Sequence, residues 1–330
     1  MSLSFRSAWF LWLLLLLAPS ISAAQDDSLL AGPLRSRNHH PIFMNLLNPP
    51  PESPLLAQVC SWEVAVNHSN IFAMGANENW YIHMDKEITE SDILLRAPLA
   101  QGKYEIGAEM PIIVSSAGFL DPLVRTYHAA VGVPGYDWQD HFPDGFYVDK
   151  LYYHHHIFSL GRQNSILPGD ATFWLKGYAA QRENLLAAWQ LFIQVPTGSA
   201  DAGTGSGNWE FGGRAMGRLE YRGLGIYSSL GLYFPGMLKG QGASVTLLPI
   251  YSGFLGFEWT LWGGWAFLAQ FTYTSSPLDG QGYDYFSKPW IDSTFGFKRV
   301  IGPGKTMGFA LSENLNQTSP DFTIHISLAM

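Results

Sequence analysis

Residues 209–222 read WEFGGRAMGRLEYR, and their alternation decides the fold. Trp209, Phe211, Gly213, Ala215, Gly217, Leu219 and Tyr221 fall on one side of an extended chain. Glu210, Gly212, Arg214, Met216, Arg218, Glu220 and Arg222 fall on the other. Every charge lies on one side, and aromatic residues begin and end the apolar side. A strand in the wall of a membrane barrel has this form, with an apolar outer band, aromatic girdles and a polar interior. Reversing the two faces would put Arg214 and Arg218 into lipid, at about 2–4 kcal/mol each near the midplane, so the register is strongly specified.

The same period of two recurs along the chain. In 264–276, Trp265, Phe267, Ala269, Phe271 and Tyr273 oppose Gln270, Thr272 and Thr274. In 102–113, Tyr104, Ile106, Ala108, Met110 and Ile112 oppose Lys103, Glu105 and Glu109. Segments 170–181, 184–196 and 254–262 follow suit, and further strands fit at about 56–68, 79–97, 223–235, 289–301, 304–313 and 320–330. The 79–97 segment alternates poorly and is expected to hold a bulge. Short connections at 100–102, 181–184, 222–224, 263–264 and 302–305 alternate with long ones at 70–78, 115–169, 197–207, 236–244, 277–288 and 313–320. Periplasmic turns and extracellular loops alternate in this way. The expected fold is all-β: a transmembrane antiparallel barrel of about twelve strands over 55–330. The last strand, with Phe322, Ile324, Ile326, Leu328 and Met330 on one face, is the type of signal that barrel-assembly machinery reads, although it ends in Met330 where a terminal Phe is usual.

Composition agrees. Charged residues are 14% of the chain and aromatics 15%, against about 25% charged for soluble proteins. A net charge of −8 argues against a nucleic-acid partner. The single cysteine, Cys60, excludes an intrachain disulfide. At the N-terminus, Arg6, the apolar run Ala8–Ala18 and Ser22-Ala23-Ala24 make residues 1–24 a signal peptide for export. Residues 25–54 form an irregular leader, with four prolines between Asn48 and Pro54, expected to precede the barrel and to tuck into its lumen as a plug. The long connection 115–169 breaks the alternation. Asp121-Pro122 reads as a helix start, followed by Leu120, Leu123, Val124, Tyr127 and Val131 at helical spacing. A short helix ending near 132–134 is expected there, entering or covering the lumen.

Gly32-Pro33-Leu34-Arg35-Ser36-Arg37-Asn38, the Asp85/Glu87 pair, Glu109-Met110-Pro111 leading to Gly118-Phe119-Leu120-Asp121 and His128, and the Val195-Pro196-Thr197-Gly198 corner occur in order along the chain. In these stretches the sequence resembles a bacterial outer-membrane β-barrel family of unknown function (domain of unknown function, family 3187). It departs from that family's Pro-Val at Arg35-Ser36 and from its Gly at Lys86. The resemblance implies an outer-membrane barrel and carries over no catalytic residue.

Candidate functional residues are the polar faces. Lys103, Glu105, Glu109, Lys176, Glu210, Arg214, Arg218, Glu220, Arg222, Glu258, Asp292 and Lys298 are expected to face the lumen, with Glu63 and His325. Mixed charge of this kind either selects solutes in an open pore or closes a narrow one. Asp121, Tyr127, His128, His154, His155 and His156 belong to the long connection. Consecutive histidines on a strand point to opposite faces, and no CxxC or HExxH spacing is present, so no metal or cofactor is expected. The chain has no GxSxG; Gly203–Gly207 lacks the strand-turn-helix setting of a nucleophile elbow, and no lysine follows as in a phosphate loop. The expected function is an outer-membrane channel, transporter or envelope-structural component, with outer-membrane lipid around it and a small solute as candidate cargo. The alternatives are an outer-membrane enzyme acting on lipid or surface glycan, and a soluble exported β-protein with its apolar faces inward.

Overall fold

The computed structural model describes residues 32–131, 145–158, 161–280, 284–315, 320 and 322–330. The proposed signal segment 1–24 lies outside these residues, as do the start of the leader and the expected helix end at 132–134. In chain order the strands are β1 (Ser61–Ala76), β2 (Trp80–Leu99), β3 (Tyr104–Ser116), β4 (Val148–Tyr153), β5 (His156–Phe158), β6 (Ile166–Pro168), β7 (Ala171–Arg182), β8 (Leu185–Val195), β9 (Glu210–Tyr221), β10 (Leu224–Phe234), β11 (Met237–Lys239), β12 (Ser244–Thr246), β13 (Ile250–Thr260), β14 (Trp265–Thr274), β15 (Trp290–Gly302), β16 (Lys305–Asn314) and β17 (Phe322–Ala329). Twelve of them, β1–β3, β7–β10 and β13–β17, form one closed antiparallel barrel. β17 closes the ring on β1, with Asn67 opposite His325. Closure removes the unpaired strand edges that a bilayer cannot satisfy.

The faces of β9 fall as the alternation requires. Phe211, Leu219 and Tyr221 are 51%, 45% and 59% exposed, whereas Glu210 is 0% and Arg214 6% exposed. Aromatic side chains girdle the outside near the short turns, where Trp259, Phe267 and Phe297 follow one another at centroid distances of 5.7 and 5.3 Å. The β9–β10 turn holds Arg222 and Gly223 at φ 49° and 77°. Two left-handed residues make a hairpin whose twist matches its strands. β3 changes partner in mid-strand: Tyr104–Glu109 pair with β7 and Ile112–Val114 with β6. Pro111 falls at this break, where a ladder donor is not needed.

Two expectations for β1 and β2 need correction. Residues 70–76 are strand, not loop: β1 runs to Ala76, and the Asn77 carboxamide accepts the backbone N–H of Asn79 and Trp80 at 2.9 and 2.8 Å to make a tight turn. β1 correspondingly starts at Ser61, later than expected. The 80–99 segment contains no bulge; β2 pairs with β1 in unbroken register from Tyr81 to Arg96. Its alternation is weak because its middle carries buried residues on both faces and its inward face there is largely apolar. Ile82, Met84 and Ile88 are buried inward, and Asp85 and Glu87 are buried on the outward side.

The connection from β3 to β7 explains the outward cover. It holds helix α1 (Asp121–Val131) at the predicted place. Leu120 and Val124 pack on Phe322, Leu311 and Ile324. The last two share the outward faces of Met307, Phe309 and Ile326, so α1 lies against the outside of the wall and not in the lumen. Buried Glu87 anchors it, accepting the backbone N–H of Phe119 (2.8 Å) and of Leu120 and bonding His68 Nε2 at 2.7 Å. Asp121 takes Asn70 Nδ2 at 2.8 Å and the N–H of Gly145 at 3.1 Å. The helix therefore covers a polar patch that would otherwise face outward from β1 and β2. Other parts of the connection do turn inward: β4 pairs with the top of β2, and Leu151 and Phe158 join the interior apolar cluster.

Candidate functional site

The barrel interior is occupied by residues 32–54. Inward side chains of the wall hold both legs of this segment. Gly32 N–H donates to Glu258 at 3.1 Å. The Gln270 amide brackets Leu34, accepting its N–H at 2.5 Å and donating to its carbonyl at 3.1 Å, as a neighbouring strand would. Lys298 Nζ donates to the Pro33 carbonyl at 2.6 Å. The segment then turns at His40–Leu46, where Phe43 and Met44 N–H bond the His40 carbonyl at 2.8 and 2.9 Å. On the return, Leu47 N–H donates to Glu210 at 2.6 Å, and Arg214 donates to the Pro50 carbonyl at 2.6 Å. The chain leaves past Leu56 and Ala57, which donate to Tyr178 and Glu105. Residues 32–54 are thus a hairpin standing in the barrel. Both ends of this stretch reach a cavity of about 350 Å³ at the short-turn mouth, lined by Gly32, Pro33, Leu55, Ala57, Gly304 and Lys305.

The hairpin has an apolar tip and charged legs. Ile42, Phe43, Met44, Leu46 and Leu47 are at most 3% exposed and pack on Trp80, Ile82, Trp290, Ile250 and Phe286. Phe43 stacks on Trp290 at 4.5 Å between centroids. In the legs, Arg35 pairs with Glu109 at 2.9 Å, Arg37 with Glu90 at 2.5 Å and His39 with Glu90 at 3.2 Å. Glu52 sits among wall cations: Arg96 at 2.9 Å, Arg214 at 3.3 Å and Lys176 at 3.5 Å, with Gln190 Nε2 donating at 3.1 Å. Arg96 and Lys176 also reach Glu63 and Glu105, each at 2.9 Å. Burial works against charge on Glu52, but Lys176, Arg96, Arg35 and Arg214 outweigh it and hold the carboxyl well below the usual carboxylate range. Burial, reinforced by Lys86, pushes the His40 ring down to about 3, so His40 is neutral in place.

Among the sequence-derived candidates, Glu105, Glu109, Lys176, Glu210, Arg214, Glu258 and Lys298 are buried in this interior. Asp292, half-buried, lines a small pocket with Arg37. Arg218 and Glu220 are half-buried and pair at 3.6 Å nearer the short-turn end. Lys103 and Arg222 sit in exposed turns and not in the wall. Asp121 anchors α1 on the outside; Tyr127 and His128 fall within α1. His154 and His155 make the exposed β4–β5 turn, with φ of 46° and 68°, and His156 Nδ1 lies 3.1 Å from the Gln241 carbonyl. Among the described residues no three His, Cys, Asp or Glu side chains converge as metal ligands would. Sequence reading missed Glu90, Asp92 and Arg96, all inward on β2, because that strand's alternation is obscured. It also missed the leader's partners. The signal was Arg35, Arg37 and Glu52 in a stretch otherwise nearly free of charge.

The pattern of the family described as "Protein of unknown function (DUF3187)" matches residues 12–330. The chain belongs to this family. Asp85 and Glu87 are both buried on the outward side of β2, and Lys86 between them bonds Asp149 of β4 at 3.0 Å. No curated protein matches the chain. Among solved structures, the COG4313 outer membrane channel from Pseudomonas putida F1 aligns over 83% of this chain and 96% of its own, at 12% identity and a TM-score of 0.57. The KdgM porin (7% identity, 82% and 97% of the chains, TM-score 0.45) and the NanC porin (8%, 81% and 97%, TM-score 0.46) align more loosely. At such identities the first likeness shows a shared barrel fold and nothing about cargo.

Proposed function

We propose that the protein is a bacterial outer-membrane channel for small solutes, held closed by residues 32–54 and opened by movement of that hairpin. One observation carries the reading: an interior rich in charge is filled by a segment whose two ends share one mouth. A wall built only for stability has little use for buried ion pairs, since well-packed apolar residues serve as well or better. A segment entering and leaving by the same mouth withdraws without threading. The similarity to an outer membrane channel supports the reading. With the short turns periplasmic, the hairpin enters from the periplasm and its apolar tip closes the loop side. The outward apolar band then meets lipid. The signal segment supplies export, and the apolar last strand is the recognition element for assembly.

The test is conductance in planar bilayers. A bifunctional maleimide joining cysteines placed at Arg35 and Glu109, in a Cys60→Ser background, should abolish solute current. Deletion of residues 32–54 should raise current above that of the intact protein. If neither the intact chain nor the deletion conducts, while both keep heat-modifiable gel mobility, the channel reading is refuted and an envelope-structural role takes its place.

A further inference from the structure

The side chains that bond Glu52 all come from the wall. Arg96 comes from β2, Lys176 from β7, Gln190 from β8 and Arg214 from β9, all from inward faces of the barrel. The carboxylate at the centre of this cage comes from the leader, whose Pro50 and Ser53 carbonyls also accept from Arg214 at 2.6 Å and Lys176 at 3.5 Å. Three cations and an amide donor converge on one carboxylate from four strands, with distances between 2.9 and 3.5 Å. The wall carboxylates Glu63 and Glu105 neutralise two of those cations, so without Glu52 the cage keeps one net positive charge. Arg214 is further oriented by Gln190 Oε1 at 3.0 and 2.8 Å and by the Phe192 ring at 5.2 Å. A planar guanidinium held in this way is suited to a carboxylate. The cage also adjoins open space: Glu52, Arg96 and Lys176 line the cavity at the short-turn mouth.

We propose that this cage is a binding site for the carboxylate group of a small solute, and that Glu52 is a tethered stand-in occupying it in the closed state. Solute and leader then compete for one site. Binding of the solute releases one leg of the hairpin, so the ligand that enters from the mouth also favours opening. A tethered group acts at an effective concentration of the order of millimolar or above, which depresses the apparent affinity for a free competitor. The inference rests on the channel reading for its consequence, but the site itself is testable without any flux.

The experiment uses the full chain in detergent with ¹³C-acetate as probe, read by NMR line broadening. Glu52→Gln removes the tethered charge while keeping shape, and should bind acetate at least about tenfold more tightly than the intact protein. Adding Arg214→Gln to it should cancel the gain, and chloride at equal ionic strength should not displace acetate. If folded Glu52→Gln binds acetate no better than the intact protein, or if chloride displaces it freely, the carboxylate site is refuted. Where Glu52→Gln does not fold, Leu47→Cys in a Cys60→Ser background decides. Acetate should raise maleimide labelling of Cys at this buried position several-fold over equal chloride, and unchanged labelling overturns the proposal. Acetate binding in a barrel that never conducts would refute the channel and leave the site standing; conduction without acetate binding would do the reverse.

Discussion

Truncation of Phe43 separates the stability of the leader from that of the barrel. Phe43 is 2% exposed, stacks on Trp290 at 4.5 Å and lies against His40 at 5.3 Å. Replacing a buried phenylalanine by alanine costs about 3–5 kcal/mol through lost transfer energy and the cavity left behind. No barrel ladder includes Phe43, so this cost falls on docking of the hairpin and not on closure of the sheet. At about 1.4 kcal/mol per tenfold, Phe43→Ala should raise the population of released leader by about a hundredfold or more. Hydrogen exchange read by mass spectrometry gives this directly. Peptides covering 32–54 should lose protection by that factor, while peptides of β8 and β9 stay protected. In bilayers the same variant should show a higher open probability. Equal loss of protection in leader and strands would show that the hairpin is a cooperative part of the barrel core, and the closing-segment reading would fail.

The other expectations concern the outer face and pH. Ala215→Arg places a charge on the outward side of β9 and should cost about 2–4 kcal/mol in refolding titrations into lipid bilayers; a cost under 1 kcal/mol would show that this face does not meet lipid at depth. For pH, burial with Lys86 nearby lowers the docked His40 to about 3, whereas in a released leader it titrates near about 6.5. The released state therefore takes up a proton first. Docking is fully favourable above about pH 6.5 and weakens as pH falls toward 3. Glu52, also held low by Lys176 and Arg96 against its burial, adds a loss of the same sign only below the usual carboxylate range. His40→Gln should accordingly flatten leader protection between about pH 6.5 and 4.5 and leave the lower limb; an unchanged profile in that window would show that His40 does not drive it.

The barrel was legible because its physics is local. In β9 every charge points inward and each outward position is apolar or small, with Met216 the one large apolar side chain on the inward face, and no distant contact is needed to read that. Legibility failed where the surroundings are not those of a simple wall. β2 looks irregular because Asp85 and Glu87 are buried outside while the interior cluster covers Ile82 and Met84 inside, so its period of two is masked by tertiary cover. The helix was visible in Asp121-Pro122 and its apolar spacing, but not its side of the wall. That depended on Asn70 and Glu87 being available outside to receive it. The interior site was half legible: its wall charges follow from alternation, whereas Arg35, Arg37 and Glu52 belong to a segment with no period to place them.

If the hairpin opens the channel as proposed, its division into charged legs and an apolar tip sets an order for its release. Removing one member of a buried ion pair is costly because the partner is left uncompensated. Here two partners of Glu52, Arg96 and Lys176, line a cavity at the mouth, so water or an incoming carboxylate can replace what the leader gives up to them. The tip has no such substitute. Phe43 and Leu47 leave an apolar chamber formed with Trp290, Ile250 and Phe286, and every buried side chain there must come out of contact before the passage opens. The legs are thus exchangeable while the tip holds, and a ligand arriving at the mouth acts on Glu52 before it meets any other closure. Loosening the legs weakens the tip only through the chain that joins them, the proline run 49–51. Proline's fixed φ makes that run stiff and limits the slack between leg and tip. Displacement of Glu52 is therefore transmitted to Leu47 instead of being absorbed along the way.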